Sequence, residues 1–141
     1  MPDLPLTGGC LCGGVRFEID RPLVHASYCH CRRCQRRTGT AASPQGALEP
    51  GSLRFVAGEE LVKAYDPGGG GWAKLFCGEC GSSLFSRAPD SDEPSSVRLG
   101  ALDGDPGVRP SFRTHVGTAA VWEPLPDDGL PRYEDARPAG G

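Results

Sequence analysis

Seven cysteines fall in three tight groups: Cys10-Leu11-Cys12, Cys29-His30-Cys31-Arg32-Arg33-Cys34 and Cys77-Gly78-Glu79-Cys80. A thiolate is both a nucleophile and a soft metal ligand, and tetrahedral Zn²⁺ takes four ligands at about 2.3 Å. Two residues or fewer between partners let one turn supply two sulfurs, so the spacing reads as ligation of zinc. The competing reading is a disulfide framework, which suits small secreted chains with an even cysteine count. Here the count is odd.

Seven divides as four plus three, which predicts two zinc ions per chain. Cys77-x-x-Cys80, flanked by Phe76 and Gly81, is a knuckle-type pair, and Cys10-x-Cys12 is its favoured partner. Joining them clips a loop of about 65 residues, where cross-linking restricts the unfolded chain most. An ordinary zinc ribbon made of Cys31-x-x-Cys34 and Cys77-x-x-Cys80 would leave three cysteines over, and spacing alone does not exclude it. In the first division the four-sulfur site is closed and structural. Cys29, Cys31 and Cys34 then hold a metal with one open position, the arrangement of catalytic zinc. A thiol entering that position would be deprotonated and poised as a nucleophile. His30, His115 or His25 in the fourth position would instead close the site, although His30 is awkwardly placed between two ligands.

Arg32, Arg33, Arg36 and Arg37 surround this triplet in a chain whose net charge is −3. Guanidinium forks match carboxylates and phosphates, so these arginines are candidate anchors for an anionic substrate. The bland alternative is a solvated basic turn that balances a negative zinc–thiolate site.

The elements that must position these groups read as short strands. Val15–Ile19 alternates apolar and charged residues with period two. Leu53–Val56 and Leu61–Tyr65 look like a hairpin around Ala57-Gly58-Glu59-Glu60, followed by a flexible loop at Asp66–Gly71. Trp72–Phe76 runs into Cys77, and Ser83–Ser86 leaves Cys80 as its hairpin partner. Val97–Leu99 and Phe112–Trp122 supply further strands, and Ala88–Ser96 is a surface loop. Only Arg33–Thr40 suggests a helical turn. Trp72, Trp122 and Phe112 are expected to pack on the core or a sheet face, and His115 to be structural. The fold class is therefore mostly β, with antiparallel sheets organised around zinc-binding knuckles.

At 141 residues the chain is expected to form a single domain, residues 1–141, with 124–141 as a Pro/Gly-rich tail. The 21 glycines and 14 prolines punctuate apolar runs as turns do. An acidic balance gives no general field for nucleic acid or an anionic membrane. The first nine residues lack a basic start, and no apolar run approaches the roughly 18 residues of a membrane span. A cytoplasmic setting, with its reduced thiols, is the expectation.

Gly9-Cys10-Leu11-Cys12-Gly13-Gly14-Val15-Arg16-Phe17, Ser27-Tyr28-Cys29-His30-Cys31-Arg32-Arg33-Cys34 and Phe76-Cys77-Gly78-Glu79-Cys80-Gly81-Ser82 together resemble the glutathione-dependent formaldehyde-activating enzyme family, also called the centromere protein V/Gfa domain. The likeness runs from about Leu6 to Pro138 and takes in His115-Val116, Trp122 and Gly129-Leu130-Pro131. It implies an Mss4-like fold, with Cys10, Cys12, Cys77 and Cys80 on a structural zinc and Cys29, Cys31 and Cys34 on a catalytic one. It also implies a carbon–sulfur lyase that joins glutathione, or a similar small thiol, to formaldehyde or a related electrophile, giving S-(hydroxymethyl)glutathione. Many relatives carry a basic residue directly after the third cysteine of the triplet, where this chain has Gln35. The alternative from another class is a non-catalytic, zinc-stabilised module that binds nucleic acid or a protein.

Overall fold

The computed structural model describes residues 3–138. Ten short strands carry the fold: β1 (Leu6–Gly9), β2 (Arg16–Ile19), β3 (Ala26–Cys29), β4 (Ser43–Ala47), β5 (Leu53–Ala57), β6 (Val62–Tyr65), β7 (Ala73–Cys77), β8 (Ser83–Arg87), β9 (Ser96–Arg98) and β10 (Pro110–Thr114). Among the described residues one α-helix, α1 (Arg32–Thr38), follows β3. The strands form a three-stranded sheet ordered β1-β2-β5 and a seven-stranded sheet ordered β10-β3-β4-β9-β8-β7-β6. Mostly antiparallel sheets are what the sequence patterning predicts. The one exception is β10, which runs parallel to β3.

Alternation explains how the sheets meet. In β2, Phe17 and Ile19 turn inward, and in β7 Ala73, Leu75 and Cys77 do so. Leu84, Phe85 and Val97 complete the buried layer, and the Phe85 ring meets those of Phe17 and Phe55 edge-on at 5.0 and 5.8 Å. Burying an aromatic or aliphatic side chain of this size contributes about 1.5–3 kcal/mol. This small core is therefore one adhesive between the sheets.

The expected hairpin of Leu53–Val56 with Leu61–Tyr65 does not form. β5 pairs with β2, whereas β6 pairs with β7 in the other sheet. The chain leaves the first sheet at Gly58, whose φ is +76°, and passes through a 3₁₀ turn at Glu59–Leu61. A side chain at Gly58 would lie 2.0 Å from the Gly14 carbonyl oxygen, so this close crossing requires glycine. Strand β1 escapes a propensity reading for a similar reason. Gly8 interrupts it because a Cβ there would strike the Phe17 ring at 2.6 Å.

The helix spans Arg32–Thr38 rather than Arg33–Thr40. Cys31 caps it by accepting a hydrogen bond from the Cys34 N–H at 3.3 Å, and Gly39, left-handed at φ 68°, ends it. Beyond Thr114 the expected strand stops at His115, itself left-handed at φ 56°. Residues 131–135 then return alongside β10: the Arg113 N–H donates to the Pro131 carbonyl, and the His115 N–H to that of Asp135. Phe112 is buried as expected, but Trp72 and Trp122 are 45% and 65% exposed, so neither belongs to the core. Among the described residues no helix is long and apolar enough to cross a membrane.

Candidate metal centres

Two hairpin turns bring four sulfurs together. The β1–β2 turn carries Cys10 and Cys12, closed by the Cys10 N–H donating to the Val15 carbonyl at 3.2 Å. The β7–β8 turn carries Cys77 and Cys80, closed by the Cys77 N–H donating to the Ser82 carbonyl at 3.0 Å. Each turn belongs to a different sheet, so their four sulfurs, all within 4.8 Å of one another, bridge the two layers. Sulfurs on a tetrahedral ion with ~2.3 Å bonds stand about 3.8 Å apart. Cys10–Cys12 and Cys12–Cys77 are 3.5 and 3.9 Å apart, which fits such an ion. The Val15 N–H donates to the Cys10 sulfur at 3.2 Å. The Ser82 hydroxyl, with help from backbone N–H groups, pulls the Cys80 thiol down to about 5, favouring the ligating thiolate.

Cys29, at the end of β3, and Cys31 and Cys34, at the start of α1, form the second cluster, again within 4.8 Å. Hydrogen bonds from the Cys29 and Cys34 thiols, then from the Cys34 N–H, hold Cys31 well below the usual thiol range. Hydrogen bonding with Cys29 and then Cys31, together with burial, pushes the Cys34 thiol up. Three thiolates this close oppose one another, and a divalent cation removes that opposition. The donor set thus fits a soft metal ion with three protein ligands.

No histidine of the described residues joins this group. His30 is buried, with its Nε2 3.1 Å from an Arg113 nitrogen that donates to it, and burial holds its imidazole below the usual value. Arg113 in turn lies over Tyr28 and pairs with Asp128 at 2.7 Å. His25 packs on the Phe112 ring, with centroids 5.4 Å apart, and does not line the cavity. His115 alone of the three lines the cavity above the sulfurs.

That cavity has a volume of about 560 Å³, within the range of small-molecule sites. Arg32 and Arg33 stand on its α1 side, and Trp72, Lys74 and Arg137 on others. Arg36 and Arg37 do not line it. Arg37 folds under α1, donates to the Leu75 carbonyl at 3.1 Å and stacks on Phe76. Gln35 is buried, and its amide donates to the carbonyls of His30 and Thr118 while its oxygen accepts from Arg32. It therefore ties the cysteine loop to the β10 side of the cavity and orients one arginine at the mouth.

The sequence reading passed over Lys74, Gln45 and Thr118, which also line the cavity. For Lys74 a signal existed. Ala73, Leu75 and Cys77 face the core, so period-two geometry puts Lys74 on the opposite face of β7, where the cavity lies. A second cavity of about 470 Å³ lies beside Cys10, and there Arg16 is already paired with Asp103.

A family model described as "Glutathione-dependent formaldehyde-activating enzyme" matches residues 5–118. A protein of Halomonas elongata, provisionally named as a glutathione-dependent formaldehyde-activating enzyme, is 28% identical over 116 residues, which cover 79% of this chain and 73% of the relative. The crystal structure of a Rhodobacter sphaeroides protein is similar with a TM-score of 0.56 and 25% identity, covering 90% of this chain and 98% of that one.

Proposed function

This chain belongs to the glutathione-dependent formaldehyde-activating enzyme family, and from that premise we propose that it is a zinc-dependent carbon–sulfur lyase-type enzyme joining a small thiol, glutathione or similar, to formaldehyde or a related electrophile. The observation that carries this reading is the placement of three clustered thiols, without a fourth protein ligand among the described residues, beneath a 560 Å³ cavity. Cys10, Cys12, Cys77 and Cys80 would hold a structural zinc, and Cys29, Cys31 and Cys34 a working one. Such an ion would supply Lewis acidity, which lowers the pKa of a thiol bound to it.

The chain does the rest. Arg32 and Arg33 attract an anionic thiol to the mouth, and Trp72 adds an aromatic wall. When the thiolate sulfur attacks the formaldehyde carbon, the carbonyl π pair moves onto oxygen, which needs one proton to become the hydroxymethyl group. His115 is placed to deliver it. Its imidazole lines the cavity near Cys31, and its backbone is held in a left-handed conformation by the bond to Asp135. Such a backbone is uncommon for a residue other than glycine and costs of order 1–3 kcal/mol.

Thiols add to formaldehyde without a catalyst, so the decisive measurement is the rate of exchange between formaldehyde and glutathione followed by NMR. Zinc-loaded protein is expected to raise that rate well above the uncatalysed one, and an unchanged rate would overturn the proposal. His115→Ala is expected to slow catalysed exchange roughly 10²-fold, the range for loss of a positioned proton donor. Metal content should not change. Full activity in that variant would remove His115 from the chemistry.

A further inference from the structure

The three-sulfur cluster stands among cations that lack carboxylate partners. Arg98 on β9 is only 5% exposed, and Arg37 and Lys74 are partly buried. Among the described residues none of the three has a carboxylate within 4.0 Å, whereas the other buried arginine, Arg113, is paired with Asp128. Buried charges are costly unless compensated. The anions these cations sense are the sulfurs: Cys34 acts on all three, and Cys29 and Cys31 on Lys74 and Arg98.

Three thiolates around a divalent ion leave one net negative charge, facing three positive ones. A fourth thiolate compensates one more. One positive charge remains for a second anionic group on the same molecule.

The sheet register shows where that group would sit. Lys74 is opposite Ser86, Ser86 opposite Ser96, and Arg98 opposite Gln45, so these residues share one face of the seven-stranded sheet; Lys74, Ser86, Ser96 and Gln45 floor the cavity, while Arg98 borders the cavity beside Cys10. An Arg98 guanidinium nitrogen donates to Gln45 Oε1 at 2.7 Å, which leaves the Gln45 NH₂ for the cavity. Ser96 Oγ is buried with no partner, as are Arg98 Nε and Nη2. The floor therefore offers an ammonium and a carboxamide N–H, both able to donate, with uncompensated charge behind them.

Resting on the thiol-substrate reading above, we propose that this floor selects thiols that carry a carboxylate, with Lys74 and Gln45 binding it directly. Arg98 is a positioning residue that turns Gln45 and supplies background charge. The sheet, rather than the arginines of α1, then determines which thiol is accepted.

The test uses the full chain with cobalt in place of zinc, titrated with 3-mercaptopropionate and with 3-mercaptopropionamide, its neutral counterpart of equal length. Binding is read from the thiol-dependent sulfur-to-cobalt absorption and corrected for each thiol's own ionisation. The carboxylate is expected to bind about tenfold more tightly or better, the scale of one charge-assisted hydrogen bond. Lys74→Met should abolish that preference while leaving the affinity for the amide within about twofold, a pattern that a merely structural role would not give. Equal binding of both thiols by the native protein overturns the proposal and needs no variant to do so. A preference that survives Lys74→Met overturns it as well. A spectrum unresponsive to either thiol defeats the thiol-substrate reading along with this one, whereas response without discrimination defeats only the carboxylate assignment.

Discussion

Cys12→Ser is expected to leave the protein without a cooperative thermal unfolding transition, or insoluble on expression, although Cys12 is exposed to solvent and contributes nothing to the core. Its sulfur matters because it stands 3.5 Å from that of Cys10 and 3.9 Å from that of Cys77, where two hairpins from different sheets meet. Structural zinc contributes about 10–16 kcal/mol of apparent binding energy. A whole domain is stable by only about 5–15 kcal/mol. Loss of the ion should therefore exceed what Phe17, Phe55 and Phe85 can hold. Cys77→Ser should be equally severe, but Cys77 is fully buried, so that variant mixes lost packing with lost ligation. The exposed position separates the two. Differential scanning calorimetry with metal analysis checks this. A native transition in the variant, or in native protein stripped of all zinc, would show that the sheets hold without metal.

Cys31→Ser is the complementary experiment, with the largest expected effect on catalysis. Cys31 caps α1 through its side chain, and serine is itself a favoured cap. The helix should therefore survive, and the four-sulfur cluster is built from other turns. Metal content should fall by one ion per chain, and formaldehyde–glutathione exchange should drop to the uncatalysed rate while the thermal transition changes little. Unaltered exchange in a folded variant that has lost its second ion would show that the three-sulfur cluster does no chemistry. If both experiments give the expected results, the two clusters have separate duties: Cys12→Ser loses the fold, and Cys31→Ser keeps the fold but loses turnover.

Much of the fold was legible in local patterning. The alternation around Phe17, the approach of Leu75 and Phe76 to Cys77 and the return through Leu84 and Phe85 all appear as strands close to where they were read. What patterning misjudged depended on distant neighbours. Leu53–Ala57 and Val62–Tyr65 look like hairpin partners because a turn separates them, yet each pairs with a more distant strand, β2 and β7 respectively, in a different sheet. Ser43–Ala47, with Pro44 and Gly46, has poor strand propensity and is nonetheless a central strand, because β3 and β9 pair with it on both sides. The exposed Trp72 and Trp122 show the same limit: size and apolarity do not say which surface a side chain meets.

The division of the cysteines was visible in the sequence itself. Ligands on one short turn are constrained by chain geometry alone, so the pairing within each group needs no tertiary information. Which groups combine is another matter, because Cys12 and Cys77 are 65 residues apart. Only the meeting of two sheets makes a four-sulfur cluster of them and leaves Cys29, Cys31 and Cys34 as a separate one. The surroundings of that second cluster were likewise undetermined before folding. Arg32, Arg33, Arg36 and Arg37 are equivalent as sequence, but Arg32 and Arg33 stand in the first turn of α1, between Cys31 and Cys34, and line the cavity, whereas Arg37 lies a full turn further along the helix and reaches the Leu75 carbonyl and the Phe76 ring instead. Lys74, Gln45 and Arg98 come from three different strands, and only lateral hydrogen bonding through β8 and β9 brings Lys74 and Gln45 to one floor and sets Arg98 against Gln45.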